Sequence, residues 1–158
     1  MRYRVAGPSA GVSVTTGGWN LLHSFVVPTN RLMGIELIKL STNQRDLALA
    51  DMPVRVQQYD TEGTTGTVNS PVAVNPLVTA GLPTGKHGWT LSGTNMPNAN
   101  PVTLWSDKMH PSEVVPFDLV SRLNGVGLYI PGAKCVVVEV TPPVNCVVYL
   151  DELVGFDW

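Results

Sequence analysis

The stretch that most constrains this chain is Gly125 to Glu152, GVGLYIPGAKCVVVEVTPPVNCVVYLDE. It holds two valine-rich runs, Lys134–Val140 and Asn145–Asp151, on either side of Thr141-Pro142-Pro143-Val144-Asn145. Valine is stiff at its first side-chain torsion and fits a pleated surface, and two adjacent prolines donate no ladder hydrogen bonds. The runs therefore read as strands joined by a tight turn. Strand alternation sends Lys134, Val136, Val138 and Val140 one way and Cys135, Val137 and Glu139 the other. Apolar residues on both faces place this hairpin inside a sandwich, with its charges near the ends.

The hairpin register bears on the two cysteines. With the turn centred between Pro142 and Pro143, Cys135 faces Leu150 and Cys146 faces Glu139. That offset leaves the thiols roughly 13 Å apart, beyond the span of a disulfide, so both are expected free and buried.

Strand signals recur along the chain between glycine and proline punctuation. They fall at Val12–Thr16, Trp19–Val27, Arg31–Leu40, Pro53–Tyr59, His87–Leu91, Val102–Ser106, Val114–Val120 and Gly127–Ile130. Thr67–Val78 is broken by Pro71 and Pro76 and reads as an edge. Residues 41–52 are the place for a helical turn or a long loop. With 15 glycines and 13 prolines among 158 residues and 14% charged, the chain is turn-rich and globular. The expected fold is all-β: a two-sheet antiparallel sandwich, jelly-roll-like, of about eight strands with little helix. Residues 1–11 read as an N-terminal arm, 12–153 as a single β-sandwich domain, and 154–158 as a C-terminal tail.

Several functions are disfavoured at this level. A net charge of −2 makes no electrostatic case for nucleic acid or anionic membrane. No apolar run approaches the roughly 20 residues of a membrane span, and Met1–Gly11 has no apolar core of an export signal.

Catalytic patterns are weak. Gly7-Pro8-Ser9-Ala10-Gly11 matches G-x-S-x-G, but no helical pattern follows to build a nucleophile elbow. His23, His87 and His110 lack zinc spacing and read as isolated. Asp107 and Glu113 bracket a loop, Asp60 and Glu62 sit in another, and Asp151 and Glu152 end the last strand; all read as solvated. The chain is expected to be no enzyme, with no catalytic residue, metal or cofactor. Trp19 and Trp105 are expected in the core. Trp89 is a candidate platform, and the apolar tail with Phe156 and Trp158 is expected to fold back or dock on a neighbour. Arg2, Tyr3 and Arg4 in the arm, with Trp89, Phe156 and Trp158, form the candidate interface. The basic arm and the acidic end, Asp151, Glu152 and Asp157, are opposite in sign and are expected either to meet between subunits of a ring or to stay as two solvated termini.

The strings TGGWNLLHSFVVPTNRLMGIELIKLS, DMPVRVQQYDTEGTTGT, TLWSDKMHP and LYIPGAKCVVVEVTPPVNCVVYLDEL carry a further signal. Their order resembles small jelly-roll structural proteins of tailed bacteriophages. The match lies in the strand-and-turn pattern of residues 17–153, with Pro28-Thr29-Asn30-Arg31 and Pro131-Gly132 the nearest motifs. The resemblance implies a virion component assembled in the bacterial cytoplasm. It would be a head decoration or cement protein acting as a homo-oligomer, commonly a homotrimer, on the major capsid protein. A tail, baseplate or fibre component is the alternative within that class. A carbohydrate-binding β-sandwich module using Trp89, Asn95, Asn98 and Asn100 is the alternative outside it.

Overall fold

The computed structural model describes residues 2–27, 29, 32–60, 67–69, 72–73, 85–90, 100–123, 125, 127–132 and 134–156. The elements are β1 (Arg2–Ala6), β2 (Val12–Val14), β3 (Asn20–Val26), β4 (Met33–Thr42), β5 (Met52–Tyr59), β6 (Thr67–Asn69) and β7 (Val72–Ala73). They continue with β8 (Gly85–Thr90), β9 (Val102–Met109), β10 (Val115–Asp118), α1 (Leu119–Arg122), β11 (Leu128–Ile130), β12 (Cys135–Val140) and β13 (Cys146–Phe156).

Two sheets form. The seven-stranded one runs β10-β4-β13-β1-β7, with β11 beside β4 and β2 beside β13. The six-stranded one runs β6-β8-β3-β12-β5-β9. Every described pairing is antiparallel, and four of them define the fold: β1 with β13, β3 with β12, β4 with β10, and β5 with β9. The chain is thus doubled over between β5 and β9, and the doubled ribbon is rolled into two layers. That is a jelly roll of eight strands, with β2, β6, β7, β8 and β11 as additions. The short β6 and β7 lie at sheet edges, as the prolines around them predict.

The terminal valine runs do not form the expected hairpin. β12 lies between β3 and β5, whereas β13 lies between β4 and β1 in the other sheet. The Pro142-Pro143 link crosses the sandwich. Thr141 N–H still donates to Pro53 O at 3.0 Å, which ends β12 on β5. Beyond it the prolines have no N–H to continue that ladder. Cys135 and Cys146 are free and buried as expected, but because they belong to different sheets.

The core lies between the sheets. From one side come Tyr3, Val5, Ile35, Ile38, Leu40, Val148 and Val154; from the other come Phe25, Val54, Val56, Val136, Val138 and Val140. Residues 2–11 are not a free arm. β1 alternates exposed and buried residues, putting Tyr3 and Val5 into the core, and pairs along five residues with β13. Two buried side chains there outweigh the flexibility suggested by Gly7, Pro8 and Gly11. Val154–Phe156 likewise extend β13 rather than forming a separate tail, with Phe156 in register with Met33.

One local reading also changes. The helix falls at Leu119–Arg122, overlapping the end of the run read as a strand, because Asp118 caps it by accepting from Ser121 N–H at 3.1 Å. In β4 a register shift against β13 interrupts the strict alternation, so Ile35, Ile38 and Leu40 all reach the core.

Candidate functional site

Most ionisable groups of the described residues are spent on three structural arrangements and one cleft. The first arrangement spans the sandwich. β13 carries Val148, Leu150, Glu152 and Val154 inward, so Glu152 enters the core between Val5 and Ile38 in the ladder. From the opposite sheet His23, edge-on to Phe25 with ring centroids 4.2 Å apart, meets it. His23 Nδ1 contacts Glu152 Oε2, and both side chains are fully buried. His23 Nε2 and Glu152 Oε1 have no hydrogen-bond partner among the described residues.

The second lies on the outer side of the six-stranded sheet. Glu139 accepts from Arg55 Nε at 2.6 Å and from the Tyr59 hydroxyl at 2.8 Å. The Arg55 guanidinium in turn covers the Trp19 ring at 3.8 Å. Burial pushes the Glu139 carboxyl up, against the opposing pull of Arg55 and Tyr59, and burial with the Glu139 charge raises Tyr59. Leu21, Cys135, Val137 and Tyr59 form a small buried cluster on this side.

The third lies on the outer side of the seven-stranded sheet. Arg2 Nε donates to Glu36 at 3.1 Å. Arg4 makes a forked contact with Asp151, Nη2 to Oδ2 at 2.7 Å and Nε to Oδ1 at 3.0 Å. The oppositely charged ends of the sequence do meet, but within one chain, because β1 and β13 are neighbours.

The cleft, of about 570 Å³, opens where β9 ends and β5 and β10 begin. Met109, Val115 and Phe117 lie along it, with Asp51, Asp107, Lys108, His110, Glu113 and Arg122 around them. Trp105 packs edge-on against Phe117, centroids 5.1 Å apart, from the half-buried flank of the core. Asp107 and Glu113, expected as solvated loop residues, thus converge here with Asp51, and two of these three carboxylates are paired with cations. Asp107 pairs with Arg122 and Asp51 with Lys108 at 3.6 Å. His110 Nε2 donates to Leu49 O at 3.0 Å, leaving Nδ1 to accept from the Ser112 hydroxyl at 2.7 Å. That is a serine beside an oriented imidazole, yet Ser112 N–H points at the same Nδ1 from 3.3 Å. The contact therefore closes the His110-Pro111-Ser112 turn. Among the described residues no group of three or more His, Cys, Asp or Glu could hold a metal ion.

The remaining candidates separate. Tyr3 is 1% exposed and belongs to the core, so it is not an interface residue. Arg2 and Arg4 are exposed on the seven-stranded sheet. The side chains of Trp89 and Phe156, and all of Trp158, lie outside the described residues, as do Glu62, Asn95, Asn98 and Asp157. Asn100 is engaged with Asp60 at 2.6 Å, and Asp60 also takes Lys134 at 2.6 Å; these bonds hold its carboxyl below the usual range. Ser9 of the G-x-S-x-G match sits in an exposed turn between two strands, closed by Gly11 N–H on Pro8 O at 2.8 Å. Trp19, expected in the core, is a half-buried platform for Arg55.

The His23–Glu152 pair was missed because both residues look like ordinary strand polars. Parity could have flagged Glu152, which shares its face with Val148, Leu150 and Val154. Its partner on the other sheet is a matter of topology. The chain matches no protein-family model and no curated protein.

Proposed function

We propose that this chain is a non-enzymatic structural component of a tailed-phage virion, decorating and reinforcing the head as a homo-oligomer seated on the major capsid protein. The observation that carries this reading is the contrast between the two outer faces of the jelly roll. On the six-stranded sheet Leu21, Cys135, Val137 and Glu139 point outward yet are at most 1% exposed. On the seven-stranded sheet Arg2, Arg4, Lys39 and Tyr149 are exposed on a face braced by two ion pairs. A rigid, open face bearing arginine and tyrosine suits reinforcement by surface contact, since such residues carry most interface energy. In the cleft, two of the three lining carboxylates, Asp107 and Asp51, are paired with Arg122 and Lys108, in keeping with the same reading.

Light scattering of the purified chain, with electron microscopy of particles from the producing culture, tests this. A homo-oligomer and density for the chain on the head are expected. A strict monomer together with particles that lack the chain overturns it, and density on the tail moves the chain to the tail or baseplate.

A further inference from the structure

We infer that the outer face of the seven-stranded sheet is the docking surface, and that its partner is an acidic protein surface of the assembled shell. This rests on the virion reading above and adds which face binds and what chemistry it meets.

The argument begins with how the charges on that face are divided. Arg2 and Arg4 keep 68% and 65% of their side chains exposed, while their acceptors Glu36 and Asp151 keep 6% and 29%. Lys39, in register with Asp151, is exposed as well. Solvent therefore meets three cations here and one exposed carboxylate, Asp118 at the β10 edge, whose oxygens accept from Ser121, so cations are in excess although the chain as a whole carries −2. Glu36 and Asp151 brace the two arginines.

The bracing matters for binding. Asp151 occupies one edge of the Arg4 guanidinium, through Nε and Nη2, and Glu36 occupies only Nε of Arg2. The other guanidinium N–H groups of both residues point away from these bonds and have further donors to give. An arginine already held in place loses less side-chain freedom on binding than a free one.

Shape supports the same face. Two shallow hollows flank Asp151, one of about 180 Å³ bounded by Arg4, Leu37 and Leu153, the other of about 190 Å³ bounded by Lys39 and Tyr149. Tyr149 is 39% exposed. A partner presenting carboxylates beside small apolar projections satisfies the cations and fills the hollows together. Nucleic acid fits less well, because three cations interleaved with Glu36, Asp151 and Asp118 make a poor track for a long phosphate backbone.

The test is add-back of tagged chain to purified shells stripped of it, read as bound fraction against concentration. Wild type is expected to bind, with affinity falling as salt rises. Arg2→Glu with Arg4→Glu is expected to weaken binding by about tenfold or more. Tyr149→Ala, which leaves both ion pairs intact, is expected to weaken it several-fold. Leu47→Ser, on the distant cleft rim, is expected to bind as wild type does. Circular dichroism of each variant verifies the fold. Equal binding by the charge-reversed and Tyr149→Ala chains overturns the inference and leaves shell binding standing. A wild-type chain that does not bind shells overturns the virion reading itself. Binding to bare double-stranded DNA as tight as to shells rules out an acidic protein as the partner.

Discussion

His23 on β3 and Glu152 on β13 meet in the middle of the sandwich, Nδ1 to Oε2, with both side chains sealed from solvent. They are a polar bridge between the two sheets, set among Val5, Ile38 and Val138. Such a pair is costly to bury and more costly to break, since removing one member strands the other. Its use is specificity: a slip of either strand by one residue would turn its member out of the core.

Breaking that bridge is the first test. His23→Ala or Glu152→Ala is expected to lower unfolding free energy by about 3–5 kcal/mol. The double replacement His23→Leu with Glu152→Met is expected to recover most of the loss, because no unpaired polar group stays behind. Urea unfolding measures both. Single variants within about 1 kcal/mol of wild type would show that the bridge does not hold the sheets.

The second concerns pH. Burial holds the Glu139 carboxyl above its usual 4.5 in the folded chain, so the folded state keeps this proton to higher pH than the unfolded state. The stability associated with that proton is fully present below the unfolded value and lost as pH rises through the folded one. Glu139→Gln is expected to flatten this limb, whatever its effect on the overall level. Asp60 and Asp118 behave oppositely. Bonds from Lys134 and Asn100, and from Ser121, lower them, so their contribution is lost as pH falls below about 3.8 and persists in the variant. Thermal melts across this range decide it; an unchanged slope above pH 4.5 in Glu139→Gln would refute the assignment.

The third compares two glycines. Gly11 has φ +75°, and a Cβ there would lie 2.4 Å from Val147 Cγ1 and 3.0 Å from Val148 O. Gly17 has φ +92° with nothing within 4 Å. Gly17→Ala carries only backbone strain of about 1–2 kcal/mol. Gly11→Ala adds overpacking of about 1–3 kcal/mol against β13. Equal midpoints for the two variants would contradict this.

The fourth separates strand from arm at the N-terminus. Tyr3→Ala should cost about 3–5 kcal/mol as a large side chain lost from the core. Arg4→Ala, on the same strand but facing out, should cost less than about 1 kcal/mol. If Tyr3→Ala were as mild as Arg4→Ala, β1 would not be part of the core.

What could be read along the chain was local. Valine-rich alternation with regular glycine and proline breaks placed β3, β4, β5, β9 and β12 to within a few residues, and the inward parity of Val136, Val138 and Val140 was legible. Glu152 reads as solvated from the sequence and is buried; the parity it shares with Val148 and Leu150 is the unused sign of that. The helix at Leu119 was not legible, because a four-residue turn capped by Asp118 leaves no periodic pattern behind.

The sequence by itself determined that this is a two-layer antiparallel β protein, because strand period and turn chemistry act over neighbouring residues. Tertiary structure alone decided which strands are neighbours. The valine runs look like a hairpin until the prolines between them carry the chain to the other sheet. The first residues look like an arm until β13 offers them an edge and the core takes Tyr3 and Val5. Pairing across more than a hundred residues depends on what surface is left open when the roll closes, and no local pattern encodes that. The Arg4–Asp151 ion pair and the His23–Glu152 contact inherit their partners from the same closure.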